Sequence, residues 1–213
     1  MSRNLAASVR ARLKRHADAT KQDFNLTLTH YGLERLLYRL SISEHASNFL
    51  LKGALLFTLW YGIALQVDIG FGDAVTPAPQ EISYPVLLKD FPAPQLRAYP
   101  KYTVLAEKFH AVCLLGMTNT RMKDYFDLWV LLDDNALDPS EMRRAITATF
   151  ERRKMAMPTI MPVGLSDIFA VDTAKQLQWK AFLNKNRLNE VELKEVVNKL
   201  REKFHIAGVV FVR

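Results

Sequence analysis

The sequence predicts an α+β fold, with helices at both ends and strands confined to residues 49–100. Three observations carry this prediction. Apolar residues recur at helical spacing over much of the chain, as in Leu33, Leu36, Leu37 and Leu40. The period then switches to two, where Leu65, Val67, Ile69 and Phe71 alternate with Gln66, Asp68, Gly70 and Gly72. Finally, Pro77, Pro79, Pro85, Pro92, Pro94 and Pro100 leave room for only short extended pieces between them. Strands gathered between two helical stretches make an α+β arrangement. The expected organisation is a first domain over residues 1–100, holding the N-terminal helices and the sheet, and a helical second domain over 101–213.

The elements follow in order. Residues 5–20 read as a helix, with Leu5, Val9 and Leu13 one turn apart and Arg10, Arg12, Lys14 and Arg15 mostly off that stripe. A second helix spans Thr29 to Leu40, with Thr29 as N-cap. Phe49-Leu50-Leu51 is a short buried strand, and a helix runs from Ala54 to Tyr61 before the strand that carries Asp68. After Pro100 a helix capped by Thr103 places Val104, Phe109, Val112 and Leu115 inward, followed by a loop at 116–119 and a helix over 121–133. Asp138-Pro139-Ser140-Glu141 is a helix start with a capping-box pair and Pro at N1. Pro158 and Pro162 break the chain, a helix opens at Asp172 or Thr173 and runs through Phe182, and the last opens at Asn189. In that last helix Leu193, Val196, Val197, Leu200 and Phe204 face inward.

Composition narrows the class. Of 213 residues, 49% are apolar and 24% charged, which excludes intrinsic disorder; 8 Gly and 9 Pro without a period exclude collagen-like chains. One cysteine, Cys113 in an apolar run, excludes a disulfide framework and a thiolate zinc site, and reads as a buried thiol. The five histidines form no metal-ligand pair, and Trp60, Trp129 and Trp179 read as core. No stretch has membrane-spanning length and the first residues lack the apolar core of a signal peptide, so a cytoplasmic protein without membrane association is expected. The net charge of +7 is divided as +4 over residues 1–45, −2 over the middle and +5 over 174–213. Basic ends flanking an acidic centre suit a polyanion held near carboxylates, and equally suit solvated helical faces.

Four segments taken together carry a family resemblance. They are Phe49-Leu50-Leu51-Lys52-Gly53-Ala54-Leu55-Leu56, Val67-Asp68-Ile69-Gly70-Phe71-Gly72-Asp73, Val104-Leu105-Ala106-Glu107-Lys108-Phe109 and Arg121-Met122-Lys123-Asp124-Tyr125-Phe126-Asp127-Leu128-Trp129. In that order, the chain resembles the AbiEii/AbiGii toxin family of nucleotidyltransferase-like proteins, toxins of bacterial type IV toxin–antitoxin and abortive-infection (phage defence) systems. The resemblance extends from the first helices to about Phe204. It implies a nucleotidyltransferase-like mixed sheet flanked by helices, with a helical C-terminal half. The implied reaction moves a nucleotide from an NTP to an RNA acceptor, notably the tRNA 3′ end, with Mg²⁺. Mg²⁺ takes hard carboxylate oxygens and the triphosphate takes fixed cations. The implied partners are RNA and a cognate antitoxin.

Residue by residue, the resemblance assigns Lys52, Gly53, Lys108, Arg121 and Lys123 to the nucleotide. It assigns Asp68, Lys108 and Asp124 to catalysis, and Asp68 to the metal. Asp127 shares the helix face of Asp124. The residues by themselves leave alternatives open: Gly53 permits a tight turn, Asp68 suits a half-exposed strand, and Arg121, Lys123, Asp124 and Asp127 have the spacing of a surface salt-bridge cluster.

The chain departs from the family pattern in one respect. That pattern places an Asp-x-Asp metal pair on a strand before the one carrying Asp68, and no Asp-x-Asp occurs anywhere in this sequence. The sheet is therefore expected to be truncated, with an exposed edge that favours a homodimer. Two readings follow. One is an enzyme that uses NTP and Mg²⁺, its carboxylates supplied by a partner subunit or by Asp73, Asp124 and Asp127; the other is a non-catalytic remnant, inactive in transfer, that binds RNA or an antitoxin.

Overall fold

A computed structural model describes residues 2–52 and 75–211, with side chains from residue 5. The expected helix at 54–61, the strand at 65–71, and Gly53, Trp60, Asp68 and Asp73 lie outside the described residues. The described chain divides into two compact units, 2–52 with 79–99 and 75–78 with 100–211.

The first unit opens with α1 (Ser2–Thr20) and α2 (Phe24–Ser41). Leu13 and Ala17, four residues apart, are both 1% exposed, whereas Leu5, expected on the same stripe, is exposed. α2 begins five residues earlier than expected, because Asp23 is its N-cap: the Asp23 carboxylate accepts the Leu26 N–H at 2.9 Å. Thr29 lies inside the helix instead, its hydroxyl donating to the Asn25 carbonyl at 2.9 Å.

Strands β1 (Gln80–Ser83) and β2 (Gln95–Ala98) pair antiparallel, with Gln80 opposite Ala98 and Ser83 opposite Gln95. Leu96 and Ala98 alternate inward against outward Gln95 and half-buried Arg97. Leu51 adds one parallel bridge: its N–H donates to the Arg97 carbonyl at 2.7 Å and its carbonyl accepts the Tyr99 N–H at 2.9 Å. The described sheet is two-stranded and antiparallel, with Leu51 as an isolated parallel bridge outside it, and the α+β class holds. Glu34, 2% exposed, accepts the Leu87 N–H at 2.7 Å, and Arg35 donates to the Pro92 carbonyl at 2.9 Å, so α2 holds the proline-rich loop between the strands.

The second unit is helical: α3 (Lys101–Leu115), α4 (Met122–Leu131), α5 (Pro139–Arg152), α6 (Asp167–Val171), α7 (Thr173–Asn186) and α8 (Leu193–Ile206). α3 is central, with Leu105, Ala106, Phe109 and Val112 fully buried. Phe109 stacks on Phe204 of α8 at 4.2 Å and on Phe150 of α5 at 5.6 Å between ring centres. Every position expected inward on α8 is buried, at a gain of about 1.5–3 kcal/mol for each large side chain.

Several ends differ from expectation. Pro100, not Thr103, occupies the N-cap position of α3; Thr103 is buried and exchanges hydrogen bonds with the Thr76 backbone at 2.9 and 3.0 Å. At α5 the Asp138 carboxylate accepts the Ser140 and Glu141 N–H groups, but the reciprocal arm of the box is missing. Glu141 pairs with Arg144 at 2.6 Å, and the Asp138 N–H goes to the Tyr102 hydroxyl at 2.9 Å. α6, capped by Ser166, is unforeseen, while α7 runs four residues past Phe182. α8 begins at Leu193 rather than near Asn189, since the preceding segment is extended and its Val191 carbonyl accepts the Trp179 indole N–H at 2.6 Å.

Candidate functional site

The residues that the sequence nominates in the second unit come from two helices and the loop between them. α3 ends at Gly116, whose φ of +49° suits a residue without Cβ, and a 3-10 turn over Gly116–Thr118 leads to Asn119. There the Asn119 side-chain oxygen accepts the Arg121 N–H at 2.8 Å, and α4 starts. Asp124 falls in the first turn of α4, where a carboxylate meets the positive end of the helix dipole. Asp127, three residues on, shares its face.

That face closes on α3. Lys108 Nζ lies 2.8 Å from Asp124 Oδ1 and 2.6 Å from Asp127 Oδ2. Arg121 Nε is 2.7 Å from Asp124 Oδ2, and Lys123 Nζ is 2.5 Å from Asp127 Oδ2. The side chains of Asp124 and Asp127 are 4% and 1% exposed, that of Lys108 15%, and those of Lys123 and Arg121 44% and 60%. The cluster is graded, with carboxylates inside, one ammonium bridging them, and two cations at the rim. Burial works against the Lys108 charge, but Asp127 and Asp124 outweigh it and hold the ammonium above the ordinary lysine pKa.

Among the described residues the cluster sets three cations against two carboxylates, with Arg121 and Lys123 at its exposed rim. Asp127 Oδ1 and Asp124 Oδ2 are buried and accept no hydrogen bond from the described residues; Arg121 meets the latter as a charge contact out of hydrogen-bond alignment. Asp124 and Asp127 do not fit a Mg²⁺ ion as they stand, because Lys108 occupies the position between them and each has a second cation against it. Among the described residues, no group of three or more His, Cys, Asp or Glu has the arrangement of a metal site.

The other nominated residues lie elsewhere. Lys52 belongs to the first unit, its ammonium 5.4 Å from the centre of the Tyr99 ring. Gly53, Asp68 and Asp73 fall outside the described residues. Cys113 is half-buried rather than fully buried, and burial pushes its thiol up to about 12, which leaves it unreactive. Trp179 is core, while Trp129 is half-buried under the Lys199 ammonium at 5.1 Å.

Two residues escaped the sequence reading. Asn119 is completely buried at the start of α4, and Lys175, 5% exposed, donates to its backbone carbonyl at 2.9 Å. A signal for Lys175 was available: it heads the buried stripe of Trp179 and Leu183 at four-residue spacing, a place where an apolar residue is the rule.

Among the described residues, no helix is long and apolar enough to cross a membrane. Compared with known families, residues 63–202 match the one described as nucleotidyl transferase AbiEii toxin of type IV toxin–antitoxin systems. The match contains Asp68, Lys108, Arg121, Lys123, Asp124 and Asp127; Lys52 and Gly53 precede it. No curated protein and no solved structure matches the chain.

Proposed function

Because the chain belongs to the AbiEii nucleotidyl transferase toxin family of type IV toxin–antitoxin systems, we propose that its helical unit receives phosphates of an NTP and of an RNA acceptor, with tRNA as the RNA. The observation that carries this reading is the graded cluster: half-buried Lys108 kept cationic between buried Asp124 and Asp127, with Arg121 and Lys123 at the rim. Fixed cations set in a partly desolvated surface attract phosphate oxygens more strongly than solvated ones do. Arg121 presents a planar fork suited to two phosphate oxygens, and Lys123 a point charge. Asp124 and Asp127 serve to hold Lys108 in place. When bound, Mg²⁺ would supply charge stabilisation at the α-phosphate, with Asp68 the carboxylate assigned to it, while the cluster orients the phosphates. Membership implies a cognate antitoxin as partner, and the expected homodimer and the two-domain division at residue 100 belong to the same proposal.

A second reading has its own support: a polyanion-binding member of the family that is silent in transfer. The absence of any Asp-x-Asp from the sequence and the engagement of Asp124 and Asp127 by cations favour it. One assay separates the two. The purified chain is incubated with total tRNA, Mg²⁺ and each α-labelled NTP in turn. Label carried into tRNA, and lost in Lys108→Ala, supports transfer. Salt-dependent tRNA binding without incorporation supports the silent reading. Neither incorporation nor binding overturns both.

A further inference from the structure

The loop joining α3 to α4 is held by a helix far along the chain. Lys175 of α7 is 5% exposed, and among the described residues no carboxylate pairs with it. Its ammonium donates to the Asn119 backbone carbonyl at 2.9 Å and to Gln178 Oε1 at 3.4 Å, and lies 5.5 Å from the centre of the Phe169 ring. Asn119, 0% exposed, in turn accepts the Arg121 N–H on its side-chain oxygen at 2.8 Å, and Arg121 reaches Asp124. An unbroken line of contacts therefore runs from Lys175 through Asn119 to the rim of the Lys108 cluster.

Burying an ammonium away from any counter-ion is unfavourable unless its protons are used. A methionine would fill the same space above Trp179 and Leu183 without that penalty. The lysine is explained by what it holds. The Asn119 carbonyl marks the end of the 3-10 turn, and its position decides where α4 begins and where the Arg121 side chain emerges.

We infer that Lys175 is a positioning residue for phosphate recognition: by fixing the Asn119 carbonyl it aims Arg121 at the exposed side of the Lys108–Asp124–Asp127 cluster. The inference rests on the reading that Arg121 meets a phosphate of the RNA or nucleotide. Lys175 itself, on the buried face of α7, acts only through Arg121.

Two measurements test it with the full chain. The first is binding of total tRNA as a function of salt, for wild type, Arg121→Ala, Lys175→Met and the double variant. Losing the Arg121 contact lowers the slope of log K against log salt by about one. Lys175→Met is expected to lower it by a similar amount, with the double variant no lower than either single one; Lys175→Arg restores part of the loss. An additive double variant, or an unchanged slope in Lys175→Met, overturns the inference. The second is amide hydrogen exchange over residues 116–121, which involves no ligand. Lys175→Met should accelerate exchange at the Arg121 amide at least tenfold, and unchanged protection overturns the inference. If Arg121→Ala leaves tRNA binding intact while exchange responds to Lys175→Met, the phosphate reading of Arg121 fails and the anchor alone stands. Should Lys175→Met not fold, Lys175→Gln, whose shorter side chain falls short of the Asn119 carbonyl, takes its place in both measurements.

Discussion

Lys108 Nζ and Asp127 Oδ2 meet at 2.6 Å with the aspartate 1% exposed, so a residue of α3 and one of α4 form an ion pair largely removed from water. Breaking such a pair from one side leaves an uncompensated charge. Lys108→Met leaves Asp124 and Asp127 to the more exposed cations Arg121 and Lys123, and is expected to lower unfolding free energy by up to about 3–5 kcal/mol at neutral pH. Urea denaturation measures it, and a loss below about 1 kcal/mol contradicts the account. The sign with pH follows from the raised Lys108 pKa. Its contribution is complete below about 10.4, the unfolded lysine value, and disappears as pH rises through the higher folded value. Wild type and Lys108→Met should therefore converge in stability at strongly alkaline pH.

His110 gives the opposite dependence. It is 4% exposed, its Nδ1 is 3.1 Å from the Arg153 guanidinium, and burial, followed by the Arg153 charge, holds its pKa below the ordinary 6.5. On acidification the unfolded chain takes up the proton first. The stability associated with a neutral His110 is thus present above about 6.5 and is lost as pH falls through the folded value. Melting temperatures between pH 7 and 5 should fall less steeply in His110→Gln than in wild type. Some slope remains, because burial also lowers His30.

The basic helix α1 is not uniformly available to a polyanion. Arg12 is tied to Asp90 through both terminal nitrogens and Lys14 pairs with Asp18 at 2.8 Å, whereas Arg10, without a carboxylate partner among the described residues, lies over the Phe24 ring at 5.3 Å. Arg10→Ala should reduce the salt slope of tRNA binding by about 0.7–0.9, the share of one neutralised phosphate, and Arg12→Ala by less. Equal reductions would mean that Arg12 leaves Asp90 when RNA binds.

Gly164 is fixed by close approach. A Cβ there would stand 2.6 Å from the Val112 carbonyl oxygen and 2.9 Å from the Tyr125 hydroxyl, which itself donates to the Gly164 carbonyl at 2.9 Å. Backbone cannot yield as a flexible side chain can. Gly164→Ala is expected to cost about 1–3 kcal/mol, read as a drop in melting temperature.

Much of the second unit was legible because it depends on local period and short-range capping. The stripe Leu193, Val196, Val197, Leu200 and Phe204, and the Asp138-Pro139 start, need only neighbours within a few residues. Where the reading missed, a distant group had changed the local choice. Thr103 looks like a cap but bonds to Thr76, and the Asp138 N–H finds Tyr102 rather than Glu141. Thr29 lost its expected role to Asp23, a stronger cap six residues earlier.

The sequence by itself determined most of the helical faces, the family, and the spacing that puts Asp124 and Asp127 on one side of a helix, because periodicity and motif order are properties of the chain. Only the tertiary structure decided that Lys108 lies between those two carboxylates, and that a buried Lys175 reaches the loop before them. The physical reason is that an ion pair's worth depends on removal from water and on which charges come within reach. Spacing along one helix fixes neither, since both are set by the packing of α3 and α7 around α4.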